Sequence, residues 1–280
     1  MNTTFLLGAA LGMLGALSIN IGKGVQKLKV HVFKQGRGML QPPHRRDLGI
    51  WLVGLGITAT SAVPISLGMK LTESPSTIGA MTGVGLIGLV IFASRVVGEP
   101  LSRRDLLGIA MVVVGTSVLG YLGGLDKQAA RSFATWPLAR SVTIPMCVGI
   151  AGCVLSRFVP RLHAVAWGAM AGICLGSSFF LADAALVKAG GDFIGQLANP
   201  YPYVAFVFGI GATVTTQIGF LKGRALEVVP AVNSAAIATP ILLEILLYAR
   251  YPRPLAGLVL AIIITGVYLL STGTAVKVSA

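Results

Sequence analysis

Apolar runs of roughly 20 residues recur along this chain from end to end, and that recurrence limits its fold more than any other feature. A helix of about 20 residues rises far enough to cross the roughly 30 Å hydrocarbon layer of a bilayer. Inside that layer no water is present to satisfy backbone N–H and C=O groups. Only helices and closed barrels therefore cross it. These runs are continuously apolar and do not alternate, so they read as helices. Composition agrees: 55% of residues are hydrophobic and 11% are charged, against about 25% charged in soluble domains. The expected fold class is all-α, a polytopic membrane protein with almost no room for a soluble domain.

About nine spans are expected at this run length. They cover Thr4 to Gly22, Leu48 to Gly68, Pro75 to Val97, Leu106 to Leu122, Val142 to Val159, Ala164 to Val187, Tyr203 to Leu221, Val229 to Tyr248 and Leu255 to Leu270. The first lacks the basic leading region of a signal peptide, because its positive charges follow it. Lys23 to Arg46 is the most basic stretch, and Gln41-Pro42-Pro43 breaks any helix there. Asp126 to Arg140 reads as a polar linker. The net charge of +13 does not indicate nucleic acid, since the basic residues sit between apolar runs as topology signals do. Nine spans put the termini on opposite sides. With the first basic loop in the cytoplasm, most of the 22 Lys and Arg residues share that side. This places the N-terminus outside and the C-terminus inside, in a bacterial inner (plasma) membrane.

The stretch Gly209 to Glu244 has an earlier copy. Gly54, Gly56, Thr58, Thr60, Gly68, Leu71, Pro75 and Ala80 fall on Gly209, Gly211, Thr213, Thr215, Gly223, Leu226, Pro230 and Ala235. Gly8, Ala9, Gly12 and Ser18 likewise fall on Gly168, Ala169, Gly172 and Ser178. The expected organisation is one four-helix repeat over 1–124, a linker with a connecting helix over 125–162, and a second four-helix repeat over 163–280. An odd number of spans separates equivalent helices, so the 4+1+4 repeat is inverted. Inverted repeats are the architecture of alternating-access transporters.

At the residue level the chain resembles the drug/metabolite transporter (DMT) superfamily and its EamA-like fold. The first half carries LTESPSTIGAM from Leu71 and a span ending in ASRVVGEPLSRRDLLG; the second carries TTQIGFLKGRALEVVPAVNSAAIATPILLE. Nine spans, and a Gln ahead of an Ala-Leu pair, look most like the NIPA-type magnesium transporter branch. Leu221-Lys222-Gly223-Arg224-Ala225-Leu226 stands where that branch usually reads Leu-Asn-Lys-Ala-Leu. The resemblance implies a secondary transporter of a small metabolite or cation, with Mg2+ as one candidate cargo.

Intramembrane charge is costly and usually functional, so Glu244 and Asp183 are the leading ionisable candidates. Glu244 either binds a cation or carries a proton, or it pairs with Arg250 near the interface. Asp183 either gates cation entry or pairs with Lys188. Both are the metal candidates if a divalent cation is carried, although such an ion wants several oxygen ligands. Thr58, Thr60, Ser61, Thr213, Thr215, Thr216 and Gln217 form matched polar stripes that either line a substrate cavity or bond across helices. Asn20, Asn233, Ser18, Ser177, Ser178 and Thr239 are weaker candidates of the same kind. Pro64 and Pro240 interrupt spans; either kinks its helix or frees a carbonyl for a ligand. Pro75 and Pro230 read as helix starts. Glu99 resembles the superfamily's glutamate at that point and is a structural or gating residue near Arg103 and Arg104. Asymmetric positions of the repeat, Glu244 against Leu89, Gln217 against Ala62 and Pro240 against Gly85, are where specificity is expected.

No nucleotide-binding loop, zinc-protease motif or nucleophilic triad is present, so no enzyme activity and no cofactor are expected. Cys147, Cys153 and Cys174 lie in apolar segments without metal or disulfide spacing. The expected partners are the transported solute and membrane lipid, with a homodimer compatible and nucleic acid excluded. A different class of reading is a non-transporting membrane subunit or lipid-handling partner, using the basic first loop against anionic lipid.

Overall fold

The computed structural model describes residues 3–72, 85–125, 135–192, 194–248 and 254–271, with the side chain of Glu244 outside that description. The described residues are helical with short connections and contain no strand. In chain order the helices are α1 (Thr3–Lys29), α2 (Pro42–Thr60), α3 (Ala62–Thr72), α4 (Gly85–Val97), α5 (Arg103–Leu125), α6 (Thr135–Leu155), α7 (Pro160–Lys188), α8 (Tyr201–Lys222), α9 (Ala225–Tyr248) and α10 (Pro254–Ser271). Among the described residues six helical segments are long and apolar enough to cross a membrane, and two shorter apolar helices accompany them. Leu7, Val63, Val114, Val148, Leu155, Phe206 and Ile264 are exposed. An apolar exterior of this kind suits lipid as its solvent.

Helix ends follow local chemistry. Pro42 and Pro43 open α2 instead of ending a helix, since the first turn does not use their missing N–H groups. Pro64 explains the break between α2 and α3. Its ring clashes with the carbonyl four residues back, at Thr60, where α2 ends. Ser102 and Asp105 start α5 with a reciprocal cap: the Asp105 N–H donates to Ser102 Oγ at 3.1 Å, and the Ser102 N–H donates to Asp105 Oδ2 at 2.9 Å. Gly98, at φ 76°, ends α4 in the left-handed region and turns the chain so that the Glu99 N–H reaches Ala93 O at 2.9 Å.

Several boundaries move from those expected. α1 continues past Gly22 to Lys29. Lys23 and Gln26 are buried on a helix and do not belong to a solvated loop. α6 begins at Thr135, inside the stretch read as a linker. Pro230 lies in the second turn of α9 and does not start it. The expected start of the third span, with Pro75, lies outside the described residues, as do Arg250 and Lys277.

α7 is packed against α6, α8 and α9. Gly168, Gly172 and Gly176 recur every four residues, one face of one helix. A Cβ at Gly168 or Gly176 would lie 2.7 Å from Val228 O or 2.8 Å from Ala236 O. The α7 and α9 backbones therefore touch directly, as small-residue ladders allow in membranes. α1 packs in its turn on α2 and α3, and α5 packs on α10.

Candidate functional site

A buried polar network joins the first half of the chain to the second. It begins on α1, where Asn20, Lys23 and Lys27 are spaced three and four apart and share a face. Gln26 stands beside that stripe. Such a stripe is costly in a membrane helix unless other helices cover it, and α2, α8 and α9 do so.

Gln26 is the hub. Its Nε2 donates to Thr58 Oγ1 at 3.0 Å, and the Thr58 hydroxyl passes a hydrogen bond on to Gly54 O at 3.0 Å. Gln217 of α8 donates through Nε2 to Gln26 Oε1. Trp51 of α2 donates through Nε1 to Gln217 Oε1 at 3.0 Å. The four side chains make one directed chain, Trp51 to Gln217 to Gln26 to Thr58, across three helices. Trp51 is itself fixed by an edge-on contact with Phe33, 4.9 Å between ring centroids. Nearly two turns back along α1, Asn233 of α9 donates through Nδ2 to Asn20 Oδ1 at 3.1 Å, and Asn20 Nδ2 donates to Ala16 O at 2.9 Å.

At the other end of the stripe, Lys27 Nζ donates to Phe220 O and Gly223 O, both at 2.6 Å. These carbonyls close α8, where a helix exposes unpaired acceptors and the negative end of its dipole. Lys23 lies between Asn20 and Lys27. It is 6% exposed, and its Nζ has no hydrogen-bond partner among the described residues.

The same end of the bundle carries a latch. Glu99, just after α4, accepts from the Ala225 N–H at 2.7 Å through Oε1 and from the Leu226 N–H at 3.1 Å through Oε2. These are unpaired donors of the first turn of α9. Glu227 Oε2 accepts from the Arg224 N–H at 3.2 Å. Arg224 Nη2 donates to Pro100 O at 2.7 Å and reaches Asp105 Oδ2 at 3.4 Å. The α4–α5 connection is thereby tied to the α8–α9 connection.

The structure gathers some expected residues and separates others. Gln217, Thr58, Asn20 and Asn233 meet, with Gln26 as the link. Most remaining hydroxyls turn to their own helices: Ser61 Oγ to Thr58 O at 2.5 Å, Thr213 to Gly209 O at 3.1 Å, Thr215 to Gly211 O at 2.6 Å and Thr216 to Ala212 O at 2.7 Å; Ser178 Oγ instead crosses to Ala205 O of α8 at 2.7 Å. Thr60 is exposed and bonds Ile57 O. Thr215 faces a cavity of about 230 Å³ between α6, α7 and α8, together with Cys153, Arg157 and Trp167. Pro240 lies in α9 against Gly176. Its ring leaves Ala236 O without the usual helical donor. Asp183 is partly buried on α7, and Lys188 Nζ sits 5.1 Å above the Tyr201 ring. Glu244 is on α9, its side chain beyond the described residues. No group of three His, Cys, Asp or Glu that could hold a metal occurs among the described residues.

Sequence reasoning missed Lys23, Gln26, Lys27 and Trp51. The signal was available in the spacing of Asn20, Lys23 and Lys27 on one helical face, with Gln26 beside it, but ending the first span at Gly22 hid it. Chemically, the network offers ammonium and amide donors with few carboxylates, and it sits where four helices from both halves converge. No family model, curated protein or solved structure matches the chain.

Proposed function

We propose that this chain is a secondary transporter built on the DMT plan, nine crossings in an inverted 4+1+4 repeat, moving a small solute by alternating access. The observation that carries the reading is the buried polar network joining α1 and α2 to α8 and α9. In membranes such networks are costly, face the bundle interior and mark solute pathways.

In this reading the ten helices among the described residues are counted as nine crossings, α2 and α3 being one crossing broken by Pro64. The packing supports the internal repeat. The alignment that pairs Ala16 with Gly176 and Gly85 with Pro240 also pairs their contacts: Gly85 packs on Ala16 O, and Gly176 packs on Pro240 Cδ. α5 and α10 meet reciprocally. A Cβ on Gly108 would lie 2.7 Å from Gly266 O, and one on Gly266 would lie 2.8 Å from Gly108 O. Reciprocal contacts of this kind are what a two-fold relation requires. In this arrangement the latch of Glu99 and Arg224 closes the cytoplasmic end, where the basic residues gather.

The donor-rich network suits an organic solute better than magnesium, which prefers oxygen ligands at octahedral geometry. The test is uptake into proteoliposomes holding the purified chain, with a panel of cations, amines, amino acids and organic acids. Saturable flux of one solute, lost in Gln217→Leu, is the expected result. Absence of flux for every solute, with the protein folded, overturns the reading.

A further inference from the structure

Lys23 is the one member of the network whose polar atom the network does not use. Every neighbour along its stripe is occupied. Asn20 bonds Asn233, and Lys27 bonds two carbonyls of α8. Gln26 sits between Thr58 and Gln217. Lys23 Nζ is buried and bonds none of the described residues. A lysine amine held away from water without a partner is strongly disfavoured in its charged form, and a carboxylate brought against it restores that charge. A position so unfavourable in the empty state is well matched to a charged ligand that completes it.

We propose that Lys23 is the charge-recognising residue of a subsite for the carboxylate of a small organic monoanion. This deepens the transport reading and rests on it for how the enclosed site opens to its ligand. The choice of ligand follows from charge and geometry. One ammonium balances one negative charge. The adjacent Lys27 is committed to the end of α8, so a dianionic phosphate would keep an unbalanced charge. Glu99 and Glu227, at the same end of the bundle, add repulsion against a second negative charge. Gln26 and Gln217, on the same network, each donate one amide hydrogen within it and carry a second. An ammonium with amide donors binds a carboxylate by charge-assisted hydrogen bonds, the stronger class. Uncharged analogues of the same shape gain none of that.

The experiment measures equilibrium binding to the full chain in lipid nanodiscs, with lactate as the carboxylate probe and lactamide as its uncharged counterpart. The expected result is saturable lactate binding, at least about tenfold tighter than lactamide. Lys23→Gln is expected to abolish the preference, and Lys23→Arg to retain part of it. Equal binding of lactate and lactamide overturns the proposal, as does undiminished lactate preference in a folded Lys23→Gln variant. Absence of lactate binding by the wild type also overturns it. The comparison of the two probes on the wild type needs no variant to fold. Failure here leaves the transport reading standing if uptake of another solute is found, and failure of that uptake screen is read separately.

Discussion

Glu99 makes the clearest quantitative test of how the two halves are joined. Its two oxygens take the Ala225 and Leu226 N–H groups at the start of α9, at 2.7 and 3.1 Å. Glu99→Gln keeps the shape but turns one acceptor into a donor, so one N–H of α9 faces another N–H. A charge-assisted hydrogen bond to a buried group contributes about 1.5–3 kcal/mol. The lost negative charge at a helix N-terminus contributes about 0.3–1 kcal/mol more. The residue is buried, so solvent screening does little to reduce these values, and the expected loss is about 2–4 kcal/mol. Local opening of the first turn of α9 should become correspondingly easier, by at least about 30-fold at 1.4 kcal/mol per decade. The assay is hydrogen exchange in nanodiscs, read at the Ala225 and Leu226 amides, with unfolding measured in parallel. Amides deep in α7 are expected to exchange at wild-type rates. If Glu99→Gln stays within 0.5 kcal/mol of the wild type and those two amides keep their protection, the latch does not hold the start of α9.

Three further outcomes follow from the same geometry. Gly172→Ala is expected to destabilise by about 1–3 kcal/mol, because its Cβ would press on Ala235 Cβ and Ala236 N in α9; Gly56→Ala, with open space around it, serves as the neutral or stabilising control in the same unfolding measurement. A double-mutant cycle of Gln26→Ala with Gln217→Ala is expected to give a coupling of about 0.6–1.7 kcal/mol, as interhelical bonds in membranes do; additive effects would break the network into independent contacts. Thr213→Val and Thr215→Val are expected to leave solute uptake within about twofold, since each hydroxyl is satisfied by its own helix. A large loss in either would return the threonine stripe to the pathway.

Much of the fold was legible because its causes are local. An apolar run of the right length must become a helix in lipid, whatever it packs against. Pro64, Ser102 with Asp105, and Gly98 act through their own neighbours in the chain, and they set helix ends close to where chain chemistry places them. The end of α1 was not legible in the same way. Hydropathy falls at Lys23, and a basic run at a span's end reads as a loop. What keeps that run helical and enclosed is cover from α2, α8 and α9, which lies more than a hundred positions away in two of the three cases.

The site divides along the same line. Residue type singled out Gln217, Asn20, Asn233 and Thr58, since an amide or hydroxyl in an apolar helix must find a partner. It could not say which would find one on its own helix. A threonine reaches its own carbonyl four residues back, so the stripe at Thr213, Thr215 and Thr216 needs no neighbour. A glutamine in a helix has no such easy acceptor, so Gln26 and Gln217 reach across to each other. The sequence by itself therefore determined a helical membrane protein and the polar groups it must accommodate. Tertiary packing alone decided which of those groups meet and which ammonium is left over, because those pairings join segments whose separation along the chain carries no distance information.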